Sequence, residues 1–238
     1  MRLTAMVPLL LLASLCVASA EFAIKDETWG SGASAVRVKV LLNTATGEFA
    51  KIIVDSGGSV DSLSLFDKVS NKLRPLLVSN DGDAVAVRLN AHYRGNLLAP
   101  FANRVRNGTY HWRGNRYSMV RNEMGADRND SLHGFLFNKT LTVVDQQTSA
   151  TRAELTLLYH FDGKDPGYPF QFDMFHTYTL TASDGFKVRA RAVNTMKEDP
   201  FPFTHGWCDA TTCSTAQLIV SIVAGIRTSS CKTSPKRL

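Results

Sequence analysis

The chain has 238 residues, of which 44% are hydrophobic, and this is enough for one large domain with a packed core. Its formal net charge is +6, but most of the excess lies near the two ends, and residues 21–207 carry only +2. The sequence contains no basic patch with interleaved aromatic residues, so its composition argues against a nucleic-acid-binding protein.

The first 20 residues have the features of a secretory signal peptide. Arg2 gives a positive start, residues 6–17 form an apolar run, and residues 18–20 match the small-residue cleavage pattern. The run has 12 residues, against the roughly 20 that cross a bilayer. We therefore expect a secreted protein that begins at Glu21 and has no membrane contact after cleavage. Three glycosylation sequons agree with this route and begin at Asn107, Asn129 and Asn138.

Alternation of apolar and polar residues predicts β-strands along most of the chain. In residues 35–42, for example, Val36, Val38 and Val40 alternate with Arg37 and Lys39. Hairpin turns such as Asp184-Gly185 indicate antiparallel pairing. The predicted strands are 35–42, 48–55, 60–66, 84–89, 108–112, 117–120, 152–161, 171–180 and 185–193, and the predicted helix before the tail is 65–73.

Residues 52–57 resemble the Asp-Ser/Thr-Gly turn of aspartic proteases. That chemistry needs two carboxylates that share one proton, and the sequence has no second turn of this kind. A protease would therefore have to be a homodimer. A strand that ends in a Gly57-Gly58 turn, capped by Asp55, explains the same residues, and this interpretation is the favoured one.

Cysteine usage favours neither a disulfide framework nor a metal centre. Outside the signal segment the cysteines are Cys208, Cys213 and Cys231, all within the last 31 residues. A disulfide framework would distribute its cysteines through the body of the domain. The spacing Cys208-x4-Cys213 lacks the second pair that a zinc site requires, so we expect no metal.

Four short segments occur in a characteristic order along residues 48–207. They are Gly57-Gly58-Ser59-Val60, Asn103-Arg104-Val105 followed by Gly108, Tyr110, Gly114 and Tyr117, Leu132-His133-Gly134, and Gly167-Tyr168-Pro169-Phe170. Each segment is short, but the ordered set resembles the aldose 1-epimerase (galactose mutarotase) family. The resemblance implies an all-β fold, a large antiparallel β-sandwich of the galactose mutarotase-like supersandwich type. It also implies an isomerase that interconverts the α and β anomers of free aldohexoses, such as glucose or galactose, without a cofactor.

The resemblance assigns roles to three residues of these segments. Asn103 and Arg104 would hydrogen-bond the sugar hydroxyls, and Arg offers a rigid fork of donors for that purpose. His133 would lie against the ring oxygen, where it stabilises or orients the reacting group. Ring opening needs a base for the anomeric hydroxyl and an acid for the ring oxygen.

The family pattern stops after Trp207. The resemblance places a second catalytic histidine directly after this tryptophan, where the chain has Cys208, and a catalytic glutamate further on, where it has only Asp209. His205 is the nearest substitute acid, but a shift by an odd number of residues changes the face of a strand. The sequence therefore predicts a signal peptide (1–20), a partial mutarotase-like β-sandwich (21–207) that is incomplete at its C-terminus, and a divergent basic tail (208–238). An alternative splice end, a different reading frame or a gene-model error would explain the tail.

Other functions stay open beside the epimerase. A non-catalytic carbohydrate-binding β-sandwich would keep Asn103, Arg104 and His133 without an acid and a base. A hexose-6-phosphate epimerase would need a phosphate site, for which Arg94, Arg106 and Arg113 are the candidates, although a signal peptide disfavours a cytosolic substrate.

Overall fold

The computed structural model describes residues 21–90, 92–125, 128–196 and 200–208, and the backbone of 219–222. The predicted signal peptide and most of the predicted tail lie outside these residues. Within the described part the chain forms 17 strands, one short α-helix and three 3₁₀ turns, and most of the paired strands are antiparallel. The predicted all-β fold is therefore confirmed. No helix in this part is long and apolar enough to cross a membrane.

The first sheet is a five-stranded antiparallel meander in which each strand pairs with the next. Val36, Val38 and Val40 point to the interior because alternate residues of a strand face the same side. The last strand forms an edge of the sheet, and its four residues are all exposed. The strands are β1 (Phe22–Trp29), β2 (Val36–Asn43), β3 (Phe49–Ile53), β4 (Ser59–Asp67) and β5 (Lys72–Pro75).

The predicted helix at residues 65–73 is wrong, because a turn divides this segment between β4 and β5. The carboxylate of Asp67 accepts hydrogen bonds from the backbone N–H of Val69 (2.9 Å) and the hydroxyl of Ser70 (2.6 Å). Asn71 then takes the left-handed conformation, with φ 55°. Asp, Ser and Asn side chains stabilise turns in this way, and they compete with helical hydrogen bonding.

The predicted strand at residues 84–89 is also wrong, since this segment is the helix α1 (Ala84–Leu89). Asp83 caps the helix, and its carboxylate accepts hydrogen bonds from the N–H groups of Val85 (2.8 Å) and Ala86 (3.1 Å). Asn90 ends it in the left-handed conformation, with φ 45°. Six residues of apolar alternation fit a strand and a helix equally well, and the capping residues decide between them.

Short strands outside the two large sheets flank the predicted sugar-binding segments. A hairpin forms in the region of the predicted strands 108–112 and 117–120, and its turn is the two-residue pair Arg113-Gly114, both with positive φ. Three further strands form the sheet β10–β11–β7, and β16 pairs with β6. These strands are β6 (Leu97–Leu98), β7 (Arg104–Val105), β8 (Thr109–Trp112), β9 (Asn115–Ser118), β10 (Glu123–Gly125), β11 (Arg128–Leu132) and β16 (Gly206–Trp207). The 3₁₀ turns are Gly32–Ser34, Arg106–Gly108 and Leu136–Asn138.

The second large sheet contains the longest strands of the chain. The three longest of them match the predicted strands 152–161, 171–180 and 185–193 to within one residue at each end, and antiparallel pairing joins them in sequence. The backbone of β17 pairs with β15 in the parallel sense. The strands are β12 (Thr142–Thr148), β13 (Arg152–Phe161), β14 (Phe172–Thr181), β15 (Gly185–Asn194) and β17 (Ile219–Ile222).

The two large sheets share one hydrophobic core. Leu41 and Ile52 of the first sheet belong to the same buried cluster as Leu155 and Tyr178 of the second. The Tyr178 hydroxyl donates a buried hydrogen bond to the carbonyl oxygen of Gly58, at the turn between β3 and β4. This bond satisfies the only polar group of a fully buried side chain, and it ties the second sheet to the turn before β4.

Candidate functional site

The pairing of β7 with β11 brings the predicted residues Asn103, Arg104 and His133 together. Arg104 lies opposite Leu132 in this pair, and His133 follows directly. The backbone N–H of His133 donates to the carbonyl oxygen of Asn103 at 3.4 Å. The side-chain oxygen of Asn103 accepts from the N–H of Arg104 at 2.8 Å. Residues that are 30 apart in sequence thus form one cluster at the end of a short sheet.

The imidazole of His133 is held in one tautomer. Its Nδ1 lies 3.0 Å from the carbonyl oxygen of Ala102, and because a carbonyl only accepts hydrogen bonds, Nδ1 carries the proton. Burial lowers the pKa of His133, and the hydrogen bond to Ala102, which acts in the opposite direction, does not cancel this effect. The ring is therefore neutral at pH 7, and its Nε2 offers a lone pair that accepts a hydrogen bond or a proton.

Arg104 forms a two-point ion pair with Glu123. Nε of Arg104 donates to Oε2 at 2.6 Å and Nη2 donates to Oε1 at 2.6 Å, while Arg128 adds a longer bond of 3.2 Å to the same carboxylate. The hydrogen bonds from Arg104 lower the pKa of Glu123 to about 2. Glu123 is therefore ionised at neutral pH and fixes the orientation of the guanidinium.

Glu123 belongs to none of the segments predicted to bind sugar, although the sequence contains a signal for it. Between Arg94 and Arg128 there are seven arginines, both ends included, but only two acids, Glu123 and Asp127. A carboxylate among so many cations is a candidate ion-pair partner. What the sequence does not reveal is the pairing of β10 with β11 and β7, which brings Glu123 to Arg104 across 19 residues.

Tyr93 is a second residue that the sequence analysis missed. Its ring meets the ring of His133 edge-on, with centroids 4.7 Å apart and planes inclined by 74°. It meets the ring of Phe137 in the same manner at 5.0 Å. Both contacts are of the edge-to-face kind that aromatic pairs prefer. Tyr93 therefore forms a wall of the site beside the predicted catalytic histidine.

Cys208 lies next to the loop that carries Tyr93. Trp207 pairs with Leu97 in the β16–β6 ladder, and the N–H of Cys208 donates to the carbonyl oxygen of Asn96 at 2.9 Å. The thiol of Cys208 lies 3.9 Å from the carbonyl oxygen of His92. The position after Trp207, where the resemblance expects a histidine, is therefore part of the same cluster.

His205 points to a histidine of the second large sheet. It turns into the core, where its Nε2 lies 3.3 Å from Nε2 of His176 on β14. Burial lowers the pKa of His205 to about 4. The role of His205 as a substitute acid stays a prediction, and its imidazole contacts His176 in the core.

An open groove of about 650 Å³ lies next to the ion pair of Arg104 and Glu123, because Arg128 belongs to both. The groove is polar, and of the three arginines predicted for a phosphate only Arg106 lines it. Its lining residues are Arg106, Asn107, Met124, Gly125, Arg128, Asn129 and Asp130.

Asp55, the residue of the protease-like turn, has a structural partner. Its carboxylate accepts from the backbone N–H of Arg37 at 2.7 Å and from Nη2 of the same residue at 2.6 Å. Burial raises the pKa of Asp55, but the hydrogen bonds from Arg37 outweigh this effect and leave the pKa below its usual value. The carboxylate of Asp55 is thus engaged in an ion pair with β2 rather than in the predicted cap of the Gly57-Gly58 turn. Among the described residues no group of three metal-ligating side chains is found, and the expectation of no metal and no cofactor stays a prediction.

Comparisons with known proteins agree on one family. A family model described as aldose 1-epimerase matches residues 39–209. A curated relative, the uncharacterized protein YihR of Escherichia coli (strain K12), is 31% identical over 100 residues, which are 42% of this chain and 30% of the relative.

Two solved structures share the fold. A galactose mutarotase-like protein from Clostridium acetobutylicum has a TM-score of 0.55 and 26% identity, over 70% of this chain and 47% of that protein. Galactose 1-epimerase from Lactobacillus acidophilus NCFM has a TM-score of 0.50 and 14% identity, over 67% of this chain and 45% of that protein. The chain thus spans less than half the length of each of these proteins. The mutarotase-like β-fold predicted from the sequence is confirmed.

Proposed function

The chain belongs to the aldose 1-epimerase family, and from this premise we propose that it binds a free aldohexose and interconverts its α and β anomers. The observation that carries the proposal is the placement of the neutral imidazole of His133 directly after β11, whose partner strand β7 carries the ion pair of Arg104 with Glu123. An acceptor and a set of fixed donors at one place suit a pyranose, whose hydroxyls both donate and accept.

Arg104 keeps donors for a ligand after it has bound Glu123. The ion pair uses the Nε proton and one Nη2 proton, and a guanidinium has five N–H donors in total. Nη1 and the second Nη2 proton are then available to neighbouring sugar oxygens. Because Glu123 holds the fork in place, little side-chain freedom is lost when a sugar binds, and this favours affinity.

His133 suits the proton transfer that ring opening needs. With Nδ1 protonated, the lone pair of Nε2 accepts the hydrogen bond of a sugar hydroxyl and can take up its proton in the transition state. During ring closure, the protonated Nε2 returns this proton to an oxygen of the open-chain sugar. Arg104 stabilises the negative charge that develops on oxygen during this exchange.

A specific observation favours a second candidate, a carbohydrate-binding protein without catalysis. The residue after Trp207 is Cys208 and not a histidine, and His205 points to His176 in the core. An unperturbed thiol has a pKa of about 8.5 and is a weaker acid at neutral pH than an imidazolium. On this view Asn103, Arg104 and His133 bind the sugar but do not open its ring.

Polarimetry with freshly dissolved α-D-glucose and α-D-galactose tests the proposal. We expect the purified chain to accelerate anomer equilibration. The His133→Ala variant should be slower by roughly 100-fold or more, because the general base of ring opening is lost. His111→Ala, at an exposed position on β8, is the matched control and should keep the rate of the unmodified chain.

The same experiment separates the two candidates. A folded chain that binds sugar in a calorimetric titration but leaves the equilibration rate unchanged would contradict the isomerase and support the binding protein. A folded chain that binds neither sugar would contradict both.

We further propose that the protein follows the secretory route. The proposal rests on the signal-like residues 1–20 and on the three sequon asparagines, Asn107, Asn129 and Asn138, all of which are exposed. Mass spectrometry of protein from the culture medium tests it, and a chain found only inside the cells with residues 1–20 still attached would contradict it.

A further inference from the structure

The segment formed by Asn90 and residues 92–96, here called the Tyr93 loop, is braced by its own hydrogen bonds. The N–H of Tyr93 donates to the carbonyl oxygen of Asn90 at 3.3 Å, and the N–H of Asn96 donates to the carbonyl oxygen of Tyr93 at 3.1 Å. The side chains of Asn90 and Asn96 are also joined, at 2.9 Å. These bonds hold Tyr93 between Asn90 and Asn96.

Tyr93 has a backbone conformation that is costly for an aromatic residue. Its φ is 51°, in the left-handed region that bulky side chains rarely adopt. His133, which its ring contacts, also has a positive φ, of 64°. Strained residues of this kind persist where the surrounding structure fixes them, and they are concentrated at functional sites. Tyr93 and His133 are thus two strained residues in direct contact.

The hydroxyl of Tyr93 has no hydrogen-bond partner among the described residues, while its ring is half-buried against His133 and Phe137. Burial raises the pKa of Tyr93, and the nearby charge of Glu123 raises it further. The phenol therefore keeps its proton at neutral pH and is a donor. The ring of Tyr93 contacts His133, and His133 directly follows Leu132, the pairing partner of Arg104.

We propose that Tyr93 is a sugar-contacting residue of this site, whose ring fixes the imidazole of His133 and whose hydroxyl donates a hydrogen bond to a sugar oxygen. The inference rests on the proposed function, since it names a further residue of the same site. A tyrosine suits this position, because its apolar ring packs against the C–H groups of a pyranose while its hydroxyl reaches an oxygen. It adds a neutral donor beside the acceptor Nε2 of His133 and the charged donors of Arg104.

Two substitutions separate the ring from the hydroxyl. Tyr93→Phe keeps the ring and the backbone strain but removes the donor. Tyr93→Asn removes the ring at a residue type that tolerates the left-handed conformation, so the loop can keep its path. Tyr117→Phe is the matched control, because Tyr117 is a half-buried tyrosine that stacks on Tyr110 away from His133.

Binding is measured by calorimetry with methyl β-D-galactopyranoside and methyl β-D-glucopyranoside, which cannot open their rings, so that affinity is independent of catalysis. We expect Tyr93→Phe to weaken binding by about 3- to 10-fold and Tyr117→Phe to leave it unchanged. The ring nitrogens of His133, observed by ¹⁵N NMR, should keep their shifts in Tyr93→Phe and change them in Tyr93→Asn.

The outcomes distinguish this inference from the proposed function. Unchanged affinity in Tyr93→Phe, with catalysis present in the unmodified chain, would overturn the role of Tyr93 alone. Weaker binding in Tyr93→Phe, with no catalysis in the unmodified chain, would support Tyr93 and overturn the isomerase. His133 shifts that do not change in Tyr93→Asn, or an unmodified chain that binds neither glycoside, would overturn the role of Tyr93 as stated.

Discussion

A Gly95→Ala substitution is expected to lower the free energy of unfolding by about 4 kcal/mol or more and to leave little folded protein. Gly95 has a φ of 64°, and an added Cβ would overlap the carbonyl oxygen of Val60. The Val60 backbone cannot retreat, because this residue is buried in β4 and its N–H donates to the carbonyl oxygen of Gly95 at 2.9 Å. The same oxygen accepts from Nε1 of Trp207 at 3.0 Å, so a shift of Gly95 would also displace the segment before Cys208.

Urea unfolding followed by tryptophan fluorescence measures this effect, and Gly114→Ala is its control. Gly114 also has a positive φ, of 79°, but no atom lies within 4 Å of its added Cβ. It should therefore show only the conformational penalty, about 1 kcal/mol. Equal losses in the two variants would contradict the close approach of Gly95 to β4.

The protein is expected to lose about 3 kcal/mol of stability through His205 as the pH falls from about 6.5 to about 4, and a further amount through its buried partner His176. Burial lowers the pKa of His205 to about 4, and burial together with the neighbouring His205 lowers the pKa of His176 well below its usual value. The unfolded chain takes up protons at these residues near pH 6.5, while the folded chain does not. Unfolding is therefore increasingly favoured as the pH falls through this range.

Urea midpoints between pH 7.5 and pH 4.5 test the acid sensitivity. The double variant His176→Leu/His205→Leu should show a flatter pH profile, since both titrating groups are gone and neither leaves the other without its partner. Met174→Leu, at a buried position of β14 whose side chain does not titrate, should retain the profile of the unmodified chain. A double variant with the same pH profile would show that the acid sensitivity has another source. Carboxylates such as Glu123 affect the stability at lower pH, because ionic partners lower their pKa.

The long strands could be predicted from the sequence because alternation persists over about ten residues. In β14, Phe172, Met174 and Tyr178 are all buried as the pattern indicates, and the Asp184-Gly185 turn fixes the pairing with β15. The predictions for two shorter segments were wrong, because local hydrogen bonds determined the structure of these segments. Asp67 turned one predicted helix into a hairpin, and Asp83 turned one predicted strand into a helix.

The candidate site was predictable only where a motif carried it. Asn103, Arg104 and His133 belong to recognisable segments, and the structure brings them together. Glu123 and Tyr93 belong to no such segment, and they reach the site through strand pairing and a braced loop whose geometry depends on tertiary contacts. The domain boundaries at residues 20 and 207 stay predictions.

The edge of the first sheet has a consequence for the association of chains. An exposed edge strand offers unpaired backbone groups to which another strand can add. In β5 the edge is only four residues long, two of its side chains are the cations Lys72 and Arg74, and Pro75 has no N–H to donate. Two copies that met edge to edge would bring like charges together and lose a hydrogen bond at the proline. This edge therefore disfavours the growth of the sheet from one molecule into the next.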